Sequence, residues 1–187
     1  MVNSLSSRAL FLDRDGVINL DIGYVKNVEG IEFTEGIFDL TRTAVSLGYR
    51  VIIVTNQSGI GRGYFTETEF SELMEWMRRK FSAEGCSLDG IYFCPFHPID
   101  GVGEYQQDSI MRKPQPGMVL QAISDFSLDP GTCVLVGDRP SDIEAGRAAG
   151  VGHLFLFSAT TSIAGAVDFC VVQNLQAISD FIQELER

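Results

Sequence analysis

The chain has 187 residues, of which 45% are hydrophobic and 21% charged, a composition typical of a soluble globular protein with its own core. Its formal net charge of −11 argues against nucleic acid or an anionic membrane surface as the main partner, because both require basic patches. No segment approaches the ~20 consecutive apolar residues of a membrane span, so we also expect no membrane partner.

The four cysteines are scattered without CxxC spacing, and Cys133 and Cys170 lie in apolar runs, which favours small core residues over disulfides at these two positions. The first dozen residues lack the basic start and long apolar stretch of a secretory signal. The default expectation is therefore a reduced, cytoplasmic protein.

Apolar runs of strand length alternate with helical patterns along the whole chain. The runs are continuously hydrophobic, which is typical of strands covered on both faces, as in a parallel sheet. The predicted strands are 8–13, 50–56, 90–96, 133–138, 153–157 and 168–173.

The predicted helices between these strands have recognisable ends. They are 36–47 ending at Gly48, a helix after a Thr66/Glu69 capping box, 117–126 opened by Pro116, 142–149 opened by Ser141 and followed by Gly150, and 175–185 capped by Asn174. This alternation predicts an α/β fold with a Rossmann-like, doubly wound, mainly parallel sheet. We expect a single domain over residues 1–187, with one long loop at 97–112.

Polar side chains end several of the predicted strands. Asp13 and Asp15 follow the first, Thr55 and Asn56 end the second, and Asp138 ends the fourth. In doubly wound sheets ligands bind beyond the carboxyl ends of the strands, so these side chains should gather at one edge.

Two aspartates one residue apart repel each other unless a cation lies beside them. Together with Asp138, and with Asp142 four residues later, Asp13 and Asp15 form an oxygen-rich set that suits Mg²⁺ completed by waters and a substrate phosphate. Asp142 also suits a simple helix start, and both readings stay open. Carboxylates, a metal, a hydroxyl such as Thr55 and a cation such as Lys113 are the parts of phosphoryl transfer through an aspartyl-phosphate.

Four segments of the chain resemble the motifs of haloacid dehalogenase superfamily phosphatases. In order they are LFLDRDGVIN, VTNQSGIGRG, RKPQPG and LVGDRPSDIEAG. The similarity extends through DIGYV at 21–25, TNQSGIGRGYFTE at 55–67 and DGIYFCPFHP at 89–98, and covers most of residues 8–155. It points to the subgroup of these phosphatases that acts on small sugar bisphosphates such as a heptose 1,7-bisphosphate, from which the 7-phosphate would be released.

The resemblance implies roles for the residues at the strand ends. Asp13 is expected to be the nucleophile and Asp15 the general acid/base. Thr55 and Lys113 are expected to bind the transferring phosphoryl group. The fold implied is haloacid dehalogenase-like.

The resemblance also implies a metal and substrate contacts. The expected ligands of Mg²⁺ are Asp13, the main-chain carbonyl of Asp15, and Asp138. Asp142 is expected to contact these ligands rather than the metal itself. Arg112 is expected to recognise a remote phosphate. The residues expected to line the sugar are Asp21, Gly23, Tyr24, Asn56, Gln57, Ser58 and Arg139.

The chain departs from the family pattern in one loop. Many relatives carry a structural zinc loop of the form CxH followed by CxC just before the RKP motif. Here Cys94 is present, but Phe96, Ser109 and Met111 occupy the other three positions and His97 is one place off. Because a closed zinc site needs four ligands, we expect no zinc, and stoichiometric zinc in the purified protein would contradict this.

The spacing leaves no room for a folded cap domain. Only about 57 residues separate Thr55 from Lys113, and about 20 separate Asp15 from the helix at 36–47. We therefore expect an open site shielded by loops at 16–35, 57–65 and 97–111, and a monomer by default.

Three alternatives to a sugar bisphosphatase stay open. One is a histidinol-phosphate phosphatase or other small-metabolite phosphatase of the same subgroup, although Arg112 favours a second anionic group on the substrate. Another is a nucleic-acid 3′-phosphatase, which the net charge of −11 disfavours. The third is a phosphate-binding module without catalysis, which the complete set of catalytic positions disfavours.

Overall fold

The computed structural model describes residues 7–158 and 168–185. Six parallel strands form one sheet in the order β3-β2-β1-β4-β5-β6. The strands are β1 (Ala9–Leu12), β2 (Arg50–Asn56), β3 (Gly90–Cys94), β4 (Val134–Gly137), β5 (His153–Phe157) and β6 (Cys170–Val172). The predicted parallel α/β sheet is confirmed.

The central strand β1 is completely buried because both faces of the sheet are covered. Leu10 and Leu12 point into one hydrophobic cluster, and Ala9 and Phe11 point into the other. Successive side chains of a strand face opposite sides, so a continuously apolar run such as Ala-Leu-Phe-Leu requires two apolar layers. This explains why period-two alternation is missing from the strand sequences.

The helices form those two layers. They are α1 (Ile37–Ser46), α2 (Ser58–Gly61), α3 (Glu67–Ala83), α4 (Gly117–Phe126), α5 (Pro140–Ala148) and α6 (Gln176–Leu185). Buried side chains of α1, α3 and α6 contribute to one cluster, and those of α4 and α5 contribute to the other. The architecture is a three-layer sandwich with the sheet in the middle.

Most of the predicted helix ends are confirmed. The Thr66 hydroxyl accepts from the Glu69 amide and the Glu69 carboxylate accepts from the Thr66 amide, which completes the capping box before α3. Gly48 and Gly150 follow α1 and α5 with φ of 83° and 81°, the left-handed conformation that favours glycine after a helix. The Asn174 side chain accepts from the Ala177 amide at 3.0 Å at the start of α6.

Some predicted boundaries are wrong. Helix α5 begins at Pro140 rather than after Ser141, and the side chain that accepts from the Arg139 amide at its start is the Asp142 carboxylate, at 3.0 Å. Strand β3 ends at Cys94, two residues earlier than predicted, because Pro95 cannot donate a backbone hydrogen bond. The short helix α2 was not predicted.

The connections above the carboxyl ends of the strands are loops rather than a second folded unit within the described ranges. The β1–α1 connection contains a 3₁₀ turn (Val28–Gly30), and the β3–α4 connection contains another (Gly103–Tyr105). In residues 7–158 and 168–185 all strands belong to the one sheet. Because residues 1–6, 159–167 and 186–187 lie outside the described residues, a single domain over 1–187 stays a prediction. Among the residues described, no helix is both long and apolar enough to cross a membrane.

Candidate active site

A pocket of about 540 Å³ lies at the carboxyl ends of β1 and β2. Every residue predicted to be catalytic or to contact substrate lines it, together with Asp142. Asp13 is placed by its amide, which donates to the Val136 carbonyl at 3.0 Å and so continues the pairing of β1 with β4 beyond the end of the strand. The gathering of strand ends predicted from the sequence is what the structure shows.

Lys113 lies at the floor of the pocket and is only 3% exposed. Its ammonium lies 3.0 Å from Asp13 Oδ1 and 2.6 Å from Asp142 Oδ1, and it donates to the Val54 carbonyl at 2.8 Å. Burial lowers the pKa of Lys113, but the Asp13 and Asp142 carboxylates raise it by more, so the net shift is upward. Lys113 is therefore a buried cation whose charge two carboxylates stabilise.

The carboxylates around Lys113 carry more negative charge than one ammonium can neutralise. Burial raises the pKa of Asp13 to about 7, with Lys113 opposing and Asp142 and Asp138 adding to the rise. Burial likewise raises the pKa of Asp138 to about 6, and the Asp142 carboxylate adds to it. Such shifts are expected of carboxylates that are buried close to one another.

The geometry of these carboxylates fits a divalent cation. Oxygen atoms of Asp13, Asp138 and Asp142 all lie within 4.8 Å of one another. Asp138 Oδ1 is buried and accepts no hydrogen bond from the described residues. A set of carboxylate oxygens of this kind is the donor type that Mg²⁺ prefers.

Gly16 makes room for Asp138 beside β1. It has φ of 88°, and a Cβ at this position would collide with the Asp138 carboxylate. The DxDG sequence therefore supplies both the acidic side chains and the space that the third carboxylate occupies.

The Asp15 carboxylate is bound by three neighbouring side chains. Arg14 donates to both of its oxygens at 2.7 to 3.0 Å, Asn19 donates to Oδ1 at 3.1 Å, and Gln57 donates to Oδ2 at 3.0 Å. Arg14 is 1% exposed and also lies over the Phe70 ring. The sequence reasoning assigned no role to Arg14 or Asn19. The role of Arg14 could have been suspected from the sequence, because an arginine between two aspartates at the end of a buried strand is placed to pair with one of them.

The two residues after Thr55 use their amide side chains inside the protein. Asn56 donates to the Lys113 carbonyl and accepts from the Lys113 amide, both at 3.0 Å, so it fixes the backbone that carries the lysine. Gln57 donates to Thr55 Oγ1 at 2.9 Å in addition to Asp15. Both residues line the pocket as predicted, and both also position other pocket residues.

Cationic and aromatic groups form the outer part of the pocket. Arg112 donates to the Phe96 carbonyl at 3.1 Å, and Arg139 donates to Asp21 at 2.7 Å. Tyr24 is half-exposed and packs edge-to-face on Tyr64, with ring centroids 4.7 Å apart. Two guanidinium groups at the rim could meet a second anionic group on a substrate.

Three of the four positions that correspond to the family's zinc loop carry side chains that are not zinc ligands, namely Phe96, Ser109 and Met111. Cys94 is buried, with its Sγ 4.0 Å from the Phe96 carbonyl, while His97 Nδ1 accepts from the Ile99 and Asp100 amides. Within residues 7–158 and 168–185, Asp13, Asp138 and Asp142 form the single cluster of side chains that could hold a metal ion. The residues of this loop therefore do not fit a zinc site, and the absence of zinc stays a prediction.

Asp142 takes part in the start of α5, one of the two readings that the sequence left open, and it also faces Lys113 in the pocket. It caps α5 through the Arg139 amide, and it pairs with the Lys113 ammonium. A Cβ on Gly137 would overlap the Asp142 side chain, so β4 approaches α5 closely enough to bring this carboxylate into the pocket.

Comparison with known proteins places this fold and site in one family. A HAD-hydrolase-like family model matches residues 110–165. The D-glycero-α-D-manno-heptose-1,7-bisphosphate 7-phosphatase of Burkholderia mallei is 50% identical over 179 residues, which are 95% of each chain. The D-glycero-β-D-manno-heptose-1,7-bisphosphate 7-phosphatase of Haemophilus influenzae is 41% identical over 97% of this chain and 98% of its own.

A solved structure shows the same similarity in three dimensions. The D,D-heptose 1,7-bisphosphate phosphatase from B. bronchiseptica, complexed with magnesium and phosphate, superposes with a TM-score of 0.81 at 27% identity, covering 95% of this chain and 99% of its own. The chain belongs to the haloacid dehalogenase superfamily, in the family of the heptose-bisphosphate phosphatases. It is a phosphoric monoester hydrolase.

Proposed function

We propose that this protein hydrolyses the 7-phosphate of D-glycero-D-manno-heptose 1,7-bisphosphate through an aspartyl-phosphate on Asp13. The observation that carries the proposal is the buried Lys113 ammonium, 3.0 Å from Asp13 and 2.6 Å from Asp142, at the base of a pocket with guanidinium groups at its rim. The relatives named above as heptose-1,7-bisphosphate 7-phosphatases support the choice of substrate.

In the first half-reaction, an Asp13 carboxylate oxygen attacks phosphorus and the bond to the C7 oxygen of the sugar breaks. Asp15 donates a proton to that leaving oxygen, which leaves as an alcohol. Lys113 and the Thr55 hydroxyl bind the phosphoryl oxygens, where negative charge is concentrated during transfer.

In the second half-reaction, water attacks phosphorus and the bond to Asp13 breaks. Asp15, now ionised, accepts the proton of that water, so it is acid in one step and base in the next. Inorganic phosphate leaves and Asp13 is restored as a carboxylate. The same two aspartates therefore complete the cycle without a further proton donor.

Mg²⁺ is the expected cofactor. The residues that would hold it are Asp13, Asp138 and the main-chain carbonyl of Asp15, with Asp142 and its lysine partner alongside. When bound, the metal would supply positive charge that neutralises the carboxylates and the phosphoryl oxygens. A solved relative with magnesium and phosphate supports this expectation.

The substrate would be fixed at both of its phosphates. The phosphoryl group to be transferred lies at Lys113, and the phosphate on C1 is expected at Arg112, with the sugar between them against Tyr24 and Arg139. No nucleic acid, membrane or second copy of the chain is needed for this arrangement, and we expect a monomer.

The test is phosphate release from heptose 1,7-bisphosphate in both anomeric forms, from histidinol phosphate, and from a heptose 7-phosphate without the second phosphate, each with and without Mg²⁺. We expect Mg²⁺-dependent release that is fastest with a bisphosphate. Faster hydrolysis of histidinol phosphate would overturn the substrate assignment, and equal rates on the mono- and bisphosphate would overturn the role of Arg112.

A further inference from the structure

Gln57 connects two groups of the active site that come from neighbouring strands. It follows β2, is 3% exposed, and its backbone amide is fixed by the Cys94 carbonyl at 2.8 Å. Its side-chain nitrogen lies 3.0 Å from Asp15 Oδ2 and 2.9 Å from Thr55 Oγ1. This one side chain therefore touches both the expected acid/base and an expected phosphoryl ligand.

The chemistry of the partners determines which end of the amide faces them. When Asp15 is ionised, as it is after the first half-reaction, its carboxylate only accepts hydrogen bonds, so the Gln57 atom beside it is then the NH₂ nitrogen and not the carbonyl oxygen. That nitrogen has two hydrogens, and the geometry uses one for Asp15 and the other for Thr55. No hydrogen of this amide remains to bind a substrate.

The orientation of the Thr55 hydroxyl follows from the same constraint. Because Thr55 Oγ1 accepts from Gln57, its own single hydrogen must point elsewhere, and among the described residues no acceptor takes it. Thr55 is 1% exposed and lines the pocket, so a group bound in the pocket could accept this hydrogen. The hydroxyl is thus prepared to donate to a phosphoryl oxygen.

Asp15 needs this contact because its other partners come from its own loop. Arg14 and Asn19 lie on the segment that follows β1, and they move with Asp15 if that loop shifts. Gln57 is the partner among the described residues that comes from β2, so it fixes the Asp15 carboxylate relative to Thr55 and hence to the phosphoryl group.

We infer that Gln57 is a positioning residue that aligns the acid/base Asp15 and the Thr55 hydroxyl, rather than a contact that gives affinity for the sugar. The inference rests on the roles proposed above for Asp15 and Thr55. A misplacement of about 1 Å in such groups lowers rates by about 100-fold, whereas loss of a substrate contact that is equal in ground and transition states raises KM alone.

The experiment compares Gln57→Met, which removes the amide at similar length, with Gln57→Glu, which keeps an acceptor but replaces the donor by a charge that repels Asp15. We expect both variants to lose about 10- to 100-fold in kcat with KM changed less than about 2-fold. The matched control is Gln121→Met on the exposed side of α4, which should leave both constants unchanged. A rise in KM at constant kcat, or a Gln57→Glu enzyme with wild-type kcat, would overturn the inference.

Two further readouts separate positioning from a merely structural effect. Thr55→Val and Gln57→Met should be non-additive in kcat, because each breaks the same unit, and additive losses would contradict this. The loss in kcat/KM should also be smaller with p-nitrophenyl phosphate, whose leaving group departs without a proton from Asp15, than with the sugar phosphate. Equal losses on the two esters would exclude the Asp15 half of the inference.

These outcomes are distinguishable from failure of the proposed function. The variants are measured on whichever phosphate ester the wild-type enzyme hydrolyses fastest, so a wrong sugar does not affect them. Thermal unfolding of each variant shows whether it is folded, and Gln57→Met and Gln57→Glu both remove the hydrogen-bond donor to Asp15 and Thr55 although they differ in charge. A decrease in kcat that both folded variants share therefore reports the altered positions of Asp15 and Thr55 and not a loss of stability of the enzyme.

Discussion

Asp13 lies in surroundings that oppose its own charge. It is 8% exposed, and its neighbours include two further carboxylates within 4.8 Å of it against one ammonium. A nucleophile must be ionised to attack phosphorus, so the protein keeps a group that would be more stable protonated. Functional sites commonly lower the stability of the fold in this way.

The first prediction concerns Asp13→Asn. Phosphate release should be abolished because an amide cannot form the acyl phosphate. The folded-state pKa of about 7 lies above the unfolded value of about 3.9. The wild-type carboxyl therefore contributes stability that is fully present below pH 4 and lost as the pH rises to about 7. In protein stripped of divalent metal, the free energy of unfolding of Asp13→Asn should exceed that of wild type by more at pH 8 than at pH 5.

Denaturant unfolding of both proteins at the two pH values, beside a phosphate-release assay, measures these effects. An equal difference at pH 5 and pH 8 would show that Asp13 is not the group that titrates. Residual Mg²⁺-dependent turnover in the variant would exclude Asp13 as nucleophile.

Gly16 provides a second prediction at the level of single residues. Gly16→Ala and Gly63→Ala both introduce a Cβ where φ is positive, 88° and 75°, so each should lose about 1 kcal/mol of stability. A Cβ at Gly16 also collides with Asp138, whereas nothing lies within 4 Å of one at Gly63. Only Gly16→Ala should lower kcat, by about 100-fold, and raise the Mg²⁺ concentration needed for half-maximal activity. Titration of activity with Mg²⁺ decides this, and equal defects in the two variants would contradict it.

At the level of secondary structure, the sequence predicted elements better than it predicted contacts between them. Fully apolar runs and capping residues are local signals, so the six strands and five of the six helices were identified. The short helix α2 carries no apolar period, and the start of α5 was placed at Ser141, a common capping residue, although Asp142 was also considered for it.

The partners of site residues are set by tertiary proximity, which a single sequence does not encode locally. The Gln57 side chain meets Asp15, 42 positions away, because β1 and β2 are neighbours in the sheet. The strand-end rule could predict that these residues share an edge, but it could not predict that an amide expected to bind substrate would instead have both of its hydrogens bound within the protein.

The loop at 97–111 is attached to the rest of the site by ordinary contacts. The Val102 amide donates to the Gly61 carbonyl at 2.8 Å, and Arg62 pairs with Asp100 at 2.6 Å. The Tyr105 hydroxyl donates to Glu67 at 2.9 Å, and its ring packs near Phe96 with centroids 6.0 Å apart. These contacts connect the loop to the α2–α3 region without any metal ligand.

A third prediction follows because the Phe96 carbonyl fixes the Arg112 guanidinium at 3.1 Å. Tyr105→Ala should loosen Phe96 and with it Arg112, and raise KM for a bisphosphate about tenfold, a loss of about 1.4 kcal/mol. The kcat should change less than about twofold, and a monophosphate should show no change in KM. The control is Tyr92→Ala on β3, whose hydroxyl also donates to a carboxylate, Asp125, at 2.7 Å. Steady-state kinetics measure both constants, and an equal rise in KM in the control would contradict the loop's role.

The whole molecule carries a net charge of −11 and is expected to bind a substrate that is itself anionic. The sheet topology resolves this conflict locally. It brings the ends of β1, β2 and β4 together. Lys113 and the guanidinium groups of Arg112 and Arg139 therefore line one pocket. Part of the acidic charge is gathered beside them in the cluster of Asp13, Asp138 and Asp142. The net negative charge of the molecule thus disfavours the binding of large polyanions, while the cationic groups of the pocket favour the binding of a small anionic substrate.

The last prediction concerns the stability of the whole fold in the presence of Mg²⁺. A cation that binds the folded acidic cluster and not the unfolded chain stabilises by about 2.7 kcal/mol at a concentration 100 times Kd, which for a chain of this size raises Tm by about 5–10 °C. Asp138→Asn removes the carboxylate whose Oδ1 is buried without a hydrogen-bond partner among the described residues, and it should abolish most of that shift. Thermal unfolding with and without Mg²⁺ measures it. An equal shift in Asp138→Asn would mean that Mg²⁺ binds at another acidic surface of this chain. No shift in the wild type would mean that the cluster does not bind the metal in the absence of phosphate. Repeating the measurement with inorganic phosphate would then establish whether phosphate is required.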